Sequence, residues 1–157
     1  MADDAADDQR DARDLGRFVG SWDVDFDLPG MPTVRGRTTF DWLLGRRFLV
    51  QQASADHPEA PEGHMIIAAD ARRPLGYVQH YFDSRGVVRT YEMDVDGPDW
   101  TLTRTTPDFT PLDFAQRWVG RFSDDGETIT GRWETSPDGV AWQLDFHLTY
   151  RRGRGQR

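Results

Sequence analysis

The sequence predicts an all-β domain, a closed antiparallel meander barrel of about ten strands preceded by a short helix. From residue 22 onward, apolar and polar residues alternate with the period of half-buried strands. The segments are short, are separated by turn residues, and leave no room for the helical crossovers of a parallel sheet. A β-sandwich is the alternative. We favour the barrel because sequential hairpins form a meander, and closing it removes exposed strand edges.

The first nineteen residues divide into an acidic tail and a helix. Residues 1–10 are rich in Asp and Ala, and we expect them to be disordered. A helix is predicted over Asp11–Val19, because Asp11 can cap it and Leu15 and Phe18 share one face. A helix this short is not stable alone, so we expect its apolar face to dock on one end of the barrel.

The strands follow in order, separated by turns. The first is the clearest, with Trp22, Val24 and Phe26 on one face and aspartates between them. Asp-Ser-Arg-Gly at 83–86 and Asp-Asp-Gly at 124–126 predict hairpin turns. One domain is expected over residues 11–152, with a disordered basic tail at 153–157. The predicted strands are Trp22–Leu28, Val34–Leu44, Phe48–Ala53, Met65–Ala69, Tyr77–Phe82, Val87–Val95, Trp100–Arg104, Phe114–Phe122, Thr128–Thr135 and Val140–Arg151.

Composition excludes several classes of function. The chain has no cysteine, which excludes disulfides, thiolate catalysis and thiolate metal sites. Its formal net charge of -8 argues against a nucleic-acid partner. No apolar run approaches the length of a membrane span, and the acidic N-terminus has no secretory h-region. We therefore expect a cytoplasmic location and no membrane partner; the sequence leaves the oligomeric state open.

Two short motifs resemble a known family. Gly20-Ser21-Trp22 begins the first strand after a short helix, and Arg151 or Arg152 ends the last strand. This is similar to the calycin signature of lipocalins and fatty-acid-binding proteins, in which the tryptophan packs against a late arginine and closes one barrel end. The ten-strand layout looks most like the bacterial nitrobindin-like, heme-binding-like barrels. The resemblance implies contact between Trp22 and Arg151 or Arg152.

The same resemblance raises the question of heme, which nitrobindins hold through a histidine on a late strand. His147 occupies a similar position, but Phe146 and Leu148 form the apolar face, so His147 is expected to face solvent. Asp23 and its neighbours also stand where nitrobindins have repeated glycines. We therefore predict no cofactor and no specific heme binding. No catalytic motif is present, and the histidines lack metal-ligand spacing, so no metal site is predicted.

The apolar faces of the strands predict a ligand cavity. Several polar side chains share those faces, and a few convergent polar groups in an apolar wall are typical of a pocket. Each of them could instead lie near a barrel mouth and reach water or an internal partner. The predicted ligand-binding residues are Gln52, His64, Arg89, Tyr91, Arg104 and Gln116.

Arg89 and Tyr91 are the predicted polar anchor. At i, i+2 spacing they project from one face of a strand, among apolar neighbours. A buried guanidinium needs compensation: a protein carboxylate would make the pair structural, whereas its absence would leave Arg89 for a ligand anion. We predict a small-molecule-binding barrel for an apolar or amphipathic acid. The alternatives are a barrel enzyme of cyclase, isomerase or heme-dependent type, with Tyr91, His64 or His80 for acid–base chemistry, and an interaction module with a filled core.

Overall fold

A computed structural model, which describes residues 15–153, shows ten antiparallel strands. Each strand pairs with its neighbours in sequence, and β1 also pairs with β10, so the sheet closes on itself. The predicted barrel is confirmed, and the β-sandwich alternative is wrong. The strands are β1 Gly20–Asp27, β2 Val34–Leu43, β3 Phe48–Ala55, β4 Gly63–Ala69, β5 Tyr77–Asp83, β6 Val88–Asp96, β7 Asp99–Arg104, β8 Ala115–Phe122, β9 Thr128–Ser136 and β10 Gln143–Arg152.

The segment before β1 forms a 3-10 turn, Gly16–Phe18, which directly follows Leu15, a helical residue at the start of the described range. Val19 donates its N–H to the Gly16 carbonyl and takes an extended conformation that leads straight into β1. The expectation that this segment covers a barrel end is confirmed, since Leu15 and Phe18 are buried. The remainder of the predicted helix, at residues 11–14, and the predicted tails at 1–10 and 154–157 lie outside the described residues.

The barrel end at which β1 begins and β10 ends, here termed the closed end, is filled by aromatic rings. The Phe18 ring centroid lies 5.2 Å from that of Phe40, 4.9 Å from that of Trp100 and 5.1 Å from that of Phe122. Phe18 has no exposed surface. The 3-10 turn therefore closes this end of the barrel, and it is stabilised by aromatic packing rather than by its own hydrogen bonds.

Trp22 and Arg152 complete the closed end. The Arg152 guanidinium lies 4.0 Å from the centre of the Trp22 ring and donates to the carbonyls of Val19 and Arg17. The indole N–H of Trp22 donates to the Phe18 carbonyl at 2.9 Å. The predicted contact between Trp22 and a late arginine is confirmed for Arg152. Arg151 points outward instead and pairs with Asp25 at 2.6 Å.

The opposite end, termed the open end, carries the loops at residues 28–33, 56–62, 84–87, 105–114 and 137–142. Among residues 15–153, no buried aromatic side chain closes the open end in the way that Phe18 closes the other end. No helix within residues 15–153 has the length and apolar character needed to cross a membrane.

Candidate ligand-binding cavity

A cavity of about 920 Å³ occupies the barrel interior and reaches the open end. Its volume lies near the upper limit of ordinary small-molecule pockets. Three of its wall residues are the ring side chains of Trp100, Trp118 and Tyr150, all buried at the closed-end side of the cavity. The mouth includes loop residues such as Met31 and Pro61. The interior is therefore not filled by its own side chains, which contradicts the hypothesis of a filled-core interaction module.

Two facing glycines make room for the indole ring of Trp118 in the wall. Gly120 and Gly131 are partners across β8 and β9, and a Cβ atom added to either would lie within 2.6 Å of the Trp118 ring system. Trp118 can therefore lie flat against the wall instead of crossing the barrel. This leaves interior volume that a side chain at either glycine would remove.

The predicted anchor lies in this cavity. Arg89, Tyr91 and Gln116 all line it, as the alternation of β6 and β8 indicated. The Tyr91 hydroxyl donates to Oε1 of Gln116 at 3.0 Å. Burial raises the pKa of Tyr91, an effect that the neighbouring Arg89 guanidinium opposes, so the hydroxyl stays a neutral donor at physiological pH. These three side chains form one polar patch on an apolar wall.

The guanidinium of Arg89 has no carboxylate partner among residues 15–153, and its Nε is buried without a hydrogen bond there. Two other arginines near the open end, Arg104 and Arg85, differ. Arg104 forms a bidentate ion pair with Asp108, in which Nε and Nη2 each lie 2.9 Å from a carboxylate oxygen. Arg85 lies 2.6 Å from the Asp83 carboxylate. Arg89 is thus the one cation lining the described cavity that no carboxylate compensates.

Arg104 is buried on the predicted face with Trp100 and Leu102, but it does not line the cavity. Its guanidinium also donates to the Thr110 carbonyl at 2.8 Å and so ties down the loop 105–114. Asp108 accepts from Arg104 and from the backbone N–H groups of Thr90 and Thr110, which holds the pKa of this carboxyl well below its usual range. Arg104 is therefore a structural arginine, compensated by a protein carboxylate, which is the role considered above as the alternative for Arg89.

Two predicted site residues were placed on the wrong face. Gln52 is exposed on the outside of β3, where Leu49, Gln51 and Ala53 are the residues that point inward. His64 is likewise exposed, because β4 turns Met65 and its alternate neighbours inward. In β3 the two alternating faces are almost equally apolar, and β4 is apolar apart from His64. The alternation of apolar and polar residues therefore did not show which face of these strands points inward.

Sequence reasoning also missed a second polar group, deeper in the barrel and composed of Thr38, Gln51, Gln79 and Tyr150. All four are buried and line the cavity. Nε2 of Gln51 donates to the Thr38 hydroxyl at 3.3 Å, and burial raises the pKa of Tyr150. The inward phase of Gln51 and Gln79 would have followed from pairing: Gln79 is the partner of Tyr91, a residue whose inward phase was predicted.

The histidines lie away from the cavity interior. His147 is exposed on the outer wall, as its alternation predicted, and His64 and His80 lie on outward positions of β4 and β5. His57 sits at the mouth, where its Nδ1 accepts from the backbone N–H of Glu59 at 3.1 Å. Of the three residues considered for acid–base chemistry, only Tyr91 lines the cavity. No group of three potential metal ligands occurs within residues 15–153.

Comparison with known proteins identifies the fold and no family. No protein-family model matches the chain, and no curated protein does. The structure is similar to the crystal structure of Rv2717c from M. tuberculosis, with a TM-score of 0.65 over 92% of this chain and 98% of that chain, at 15% sequence identity. At this identity the likeness establishes a common ten-strand barrel fold, and the function has to be argued from the cavity.

Proposed function

We propose that this protein binds a small apolar or amphipathic acid inside the barrel, with the ligand's carboxylate or other oxyanion on Arg89. The observation that carries the proposal is the contrast among three arginines near the open end. Arg85 and Arg104 each pair with an aspartate, whereas Arg89 lines the cavity with no carboxylate partner in the described residues. A partly buried cation without a counter-charge is costly, and a ligand anion would supply one.

The surroundings of Arg89 suit such a ligand. Tyr91 and Gln116 are already hydrogen-bonded to each other, so the Tyr91 oxygen stays in place beside the guanidinium. The wall also presents apolar side chains, Met65, Leu102 and Trp133 among them, which would receive a hydrocarbon or ring system. The deeper polar group around Gln51 and Gln79 would accommodate a further polar substituent. A barrel enzyme using the same cavity has less support, since two of its three candidate acid–base residues lie outside it.

Calorimetric titration with straight-chain alkanoic acids tests this proposal. We expect dodecanoate to bind wild type and Arg89→Gln to weaken it by about ten- to a hundredfold, the value of one charge-assisted hydrogen bond. Dodecanamide, which lacks the charge, should bind wild type more weakly and lose little in the variant. The matched control is Arg121→Gln, which removes a guanidinium paired with Asp99 on the outer wall.

Two results would contradict the proposal. One is failure of every acid from octanoate to hexadecanoate to bind wild type. The other is equal affinity of wild type and Arg89→Gln for the acid. Urea unfolding of both variants shows whether any lost binding reflects a lost fold rather than a lost anchor.

A further inference from the structure

Residue Asp145 faces the cavity because β10 contains a β-bulge. The ladder between β10 and β9 pairs Leu144 with Glu134 and Phe146 with Trp133, so Asp145 is the extra residue between them. Simple alternation would turn Leu144 inward and Asp145 outward. Instead Leu144 lies outside the cavity lining, whereas Asp145, although exposed, lines the mouth of the cavity next to Phe146. Bulges of this kind commonly re-aim a side chain at a functional site.

The Asp145 carboxylate has no hydrogen bond or ion pair with any residue in the range 15–153. Burial raises its pKa, and no neighbouring donor lowers it again. Three aspartates near the open end differ from it: Asp83, Asp108 and Asp138 each accept several hydrogen bonds, which lower their pKa values. Asp145 is exposed at the mouth of the cavity, so its carboxylate is open to a hydrogen-bond donor carried by a ligand.

Arg89 and Asp145 lie far apart around the mouth. Arg89 is on β6 and Asp145 on β10, four strands away in a ring of ten. Ten strands spaced about 4.8 Å apart and tilted by about 40° make a barrel roughly 20 Å across. The two side chains therefore face each other across the cavity and do not neutralise each other.

We propose that the ligand is an elongated acid with a hydrogen-bond donor, a hydroxyl or an amine, remote from its carboxylate, and that Asp145 binds this donor. The inference rests on the proposed function, because it takes Arg89 as the site of the acid group. It narrows the class of ligand from simple fatty acids to bifunctional chains. The bulge is then the structural feature that gives the cavity its second point of recognition.

The test compares three ligands of one length: dodecanoic, ω-hydroxydodecanoic and ω-aminododecanoic acid. Calorimetry on wild type is expected to show the two substituted acids binding about tenfold tighter than dodecanoic acid, or more. Asp145→Ala should abolish this preference and leave the affinity for dodecanoic acid within about twofold. Asp145→Asn should abolish most of the preference for the amine and retain part of that for the hydroxyl, since an amide oxygen still accepts.

Asp124→Asn is the matched control, because it removes an exposed carboxylate from a turn at the closed end. It should leave the preference intact, which separates contact at Asp145 from attraction of a cation to an acidic protein. Equal binding of all three acids to wild type, or a preference that persists in Asp145→Ala, would overturn this inference while leaving the acid-binding proposal standing. Absence of binding by all three, and by shorter and longer acids, would overturn both.

Discussion

The ion pair between Arg104 and Asp108 should be the most sensitive electrostatic contact of the open end. The Arg104 side chain is 2% exposed and that of Asp108 11%, and the carboxylate accepts four hydrogen bonds of 2.8 to 3.0 Å. Asp108→Ala would leave the buried Arg104 charge with carbonyl acceptors but no carboxylate to compensate it. Breaking one side of such a pair costs about 3–5 kcal/mol. For a domain of this size that corresponds to a fall in Tm of roughly 6–20 °C.

Urea unfolding of wild type, Asp108→Ala and the double variant Arg104→Met/Asp108→Ala measures this cost. The double variant should be more stable than the single one, because it no longer buries an isolated charge. Asp113→Ala, an exposed aspartate in the same loop, serves as control and should change the free energy of unfolding by less than about 0.5 kcal/mol. A loss below about 1 kcal/mol for Asp108→Ala would refute the view that Arg104 depends on this partner.

The pH dependence of the same pair has a definite sign. The folded pKa of Asp108 is lowered by the hydrogen bonds from Arg104, which outweigh the opposing effect of burial. Its contribution to stability is therefore fully present above the ordinary carboxyl pKa of 3.8 and is lost as the pH falls toward the lower folded value. The stability difference between wild type and Asp108→Ala should narrow below about pH 3.8, as measured by urea unfolding at several pH values.

Three further predictions concern the barrel itself. Gly131→Ala should destabilise the fold by about 1–3 kcal/mol and shift the tryptophan fluorescence, because its Cβ would lie 2.5 Å from a backbone carbonyl and 2.6 Å from the Trp118 ring. Gly16→Ala, with its nearest contact at 4.0 Å, should be close to neutral. Arg152→Ala should cost about 2–3 kcal/mol in urea unfolding, and lysine at this position should restore little, since the planar guanidinium both stacks on an indole and bonds two carbonyls. Burial disfavours the charged form of Asp83, but hydrogen bonds from its neighbours outweigh this effect and lower its pKa to about 2. The stability that the charged carboxylate contributes should therefore be lost as the pH falls from about 4 to 2. In Asp83→Asn the free energy of unfolding should lack this pH-dependent loss.

Prediction from sequence succeeded where one face of a strand is clearly apolar. In β1, β6 and β7 the alternation assigned Trp22, Arg89, Tyr91 and Arg104 to the inner face, and the structure places them there. The same reasoning placed His147 outside. It failed for Gln52 and His64, because β3 and β4 carry apolar residues on both faces and a shift of one residue exchanges every side chain.

What the sequence determined by itself is the class of fold and the candidate anchor: alternation with turn residues specifies a meander, and i, i+2 spacing puts Arg89 beside Tyr91. Only the tertiary structure decided which charges are compensated. Asp108 reaches Arg104 through a loop, and Asp145 enters the cavity through a bulge that alternation cannot show. Both depend on how distant backbone segments are brought together, whereas local periodicity records only which face of a strand is apolar. Arg89 and Asp145, which line the cavity and have no oppositely charged partner in the described residues, are the groups that indicate a ligand.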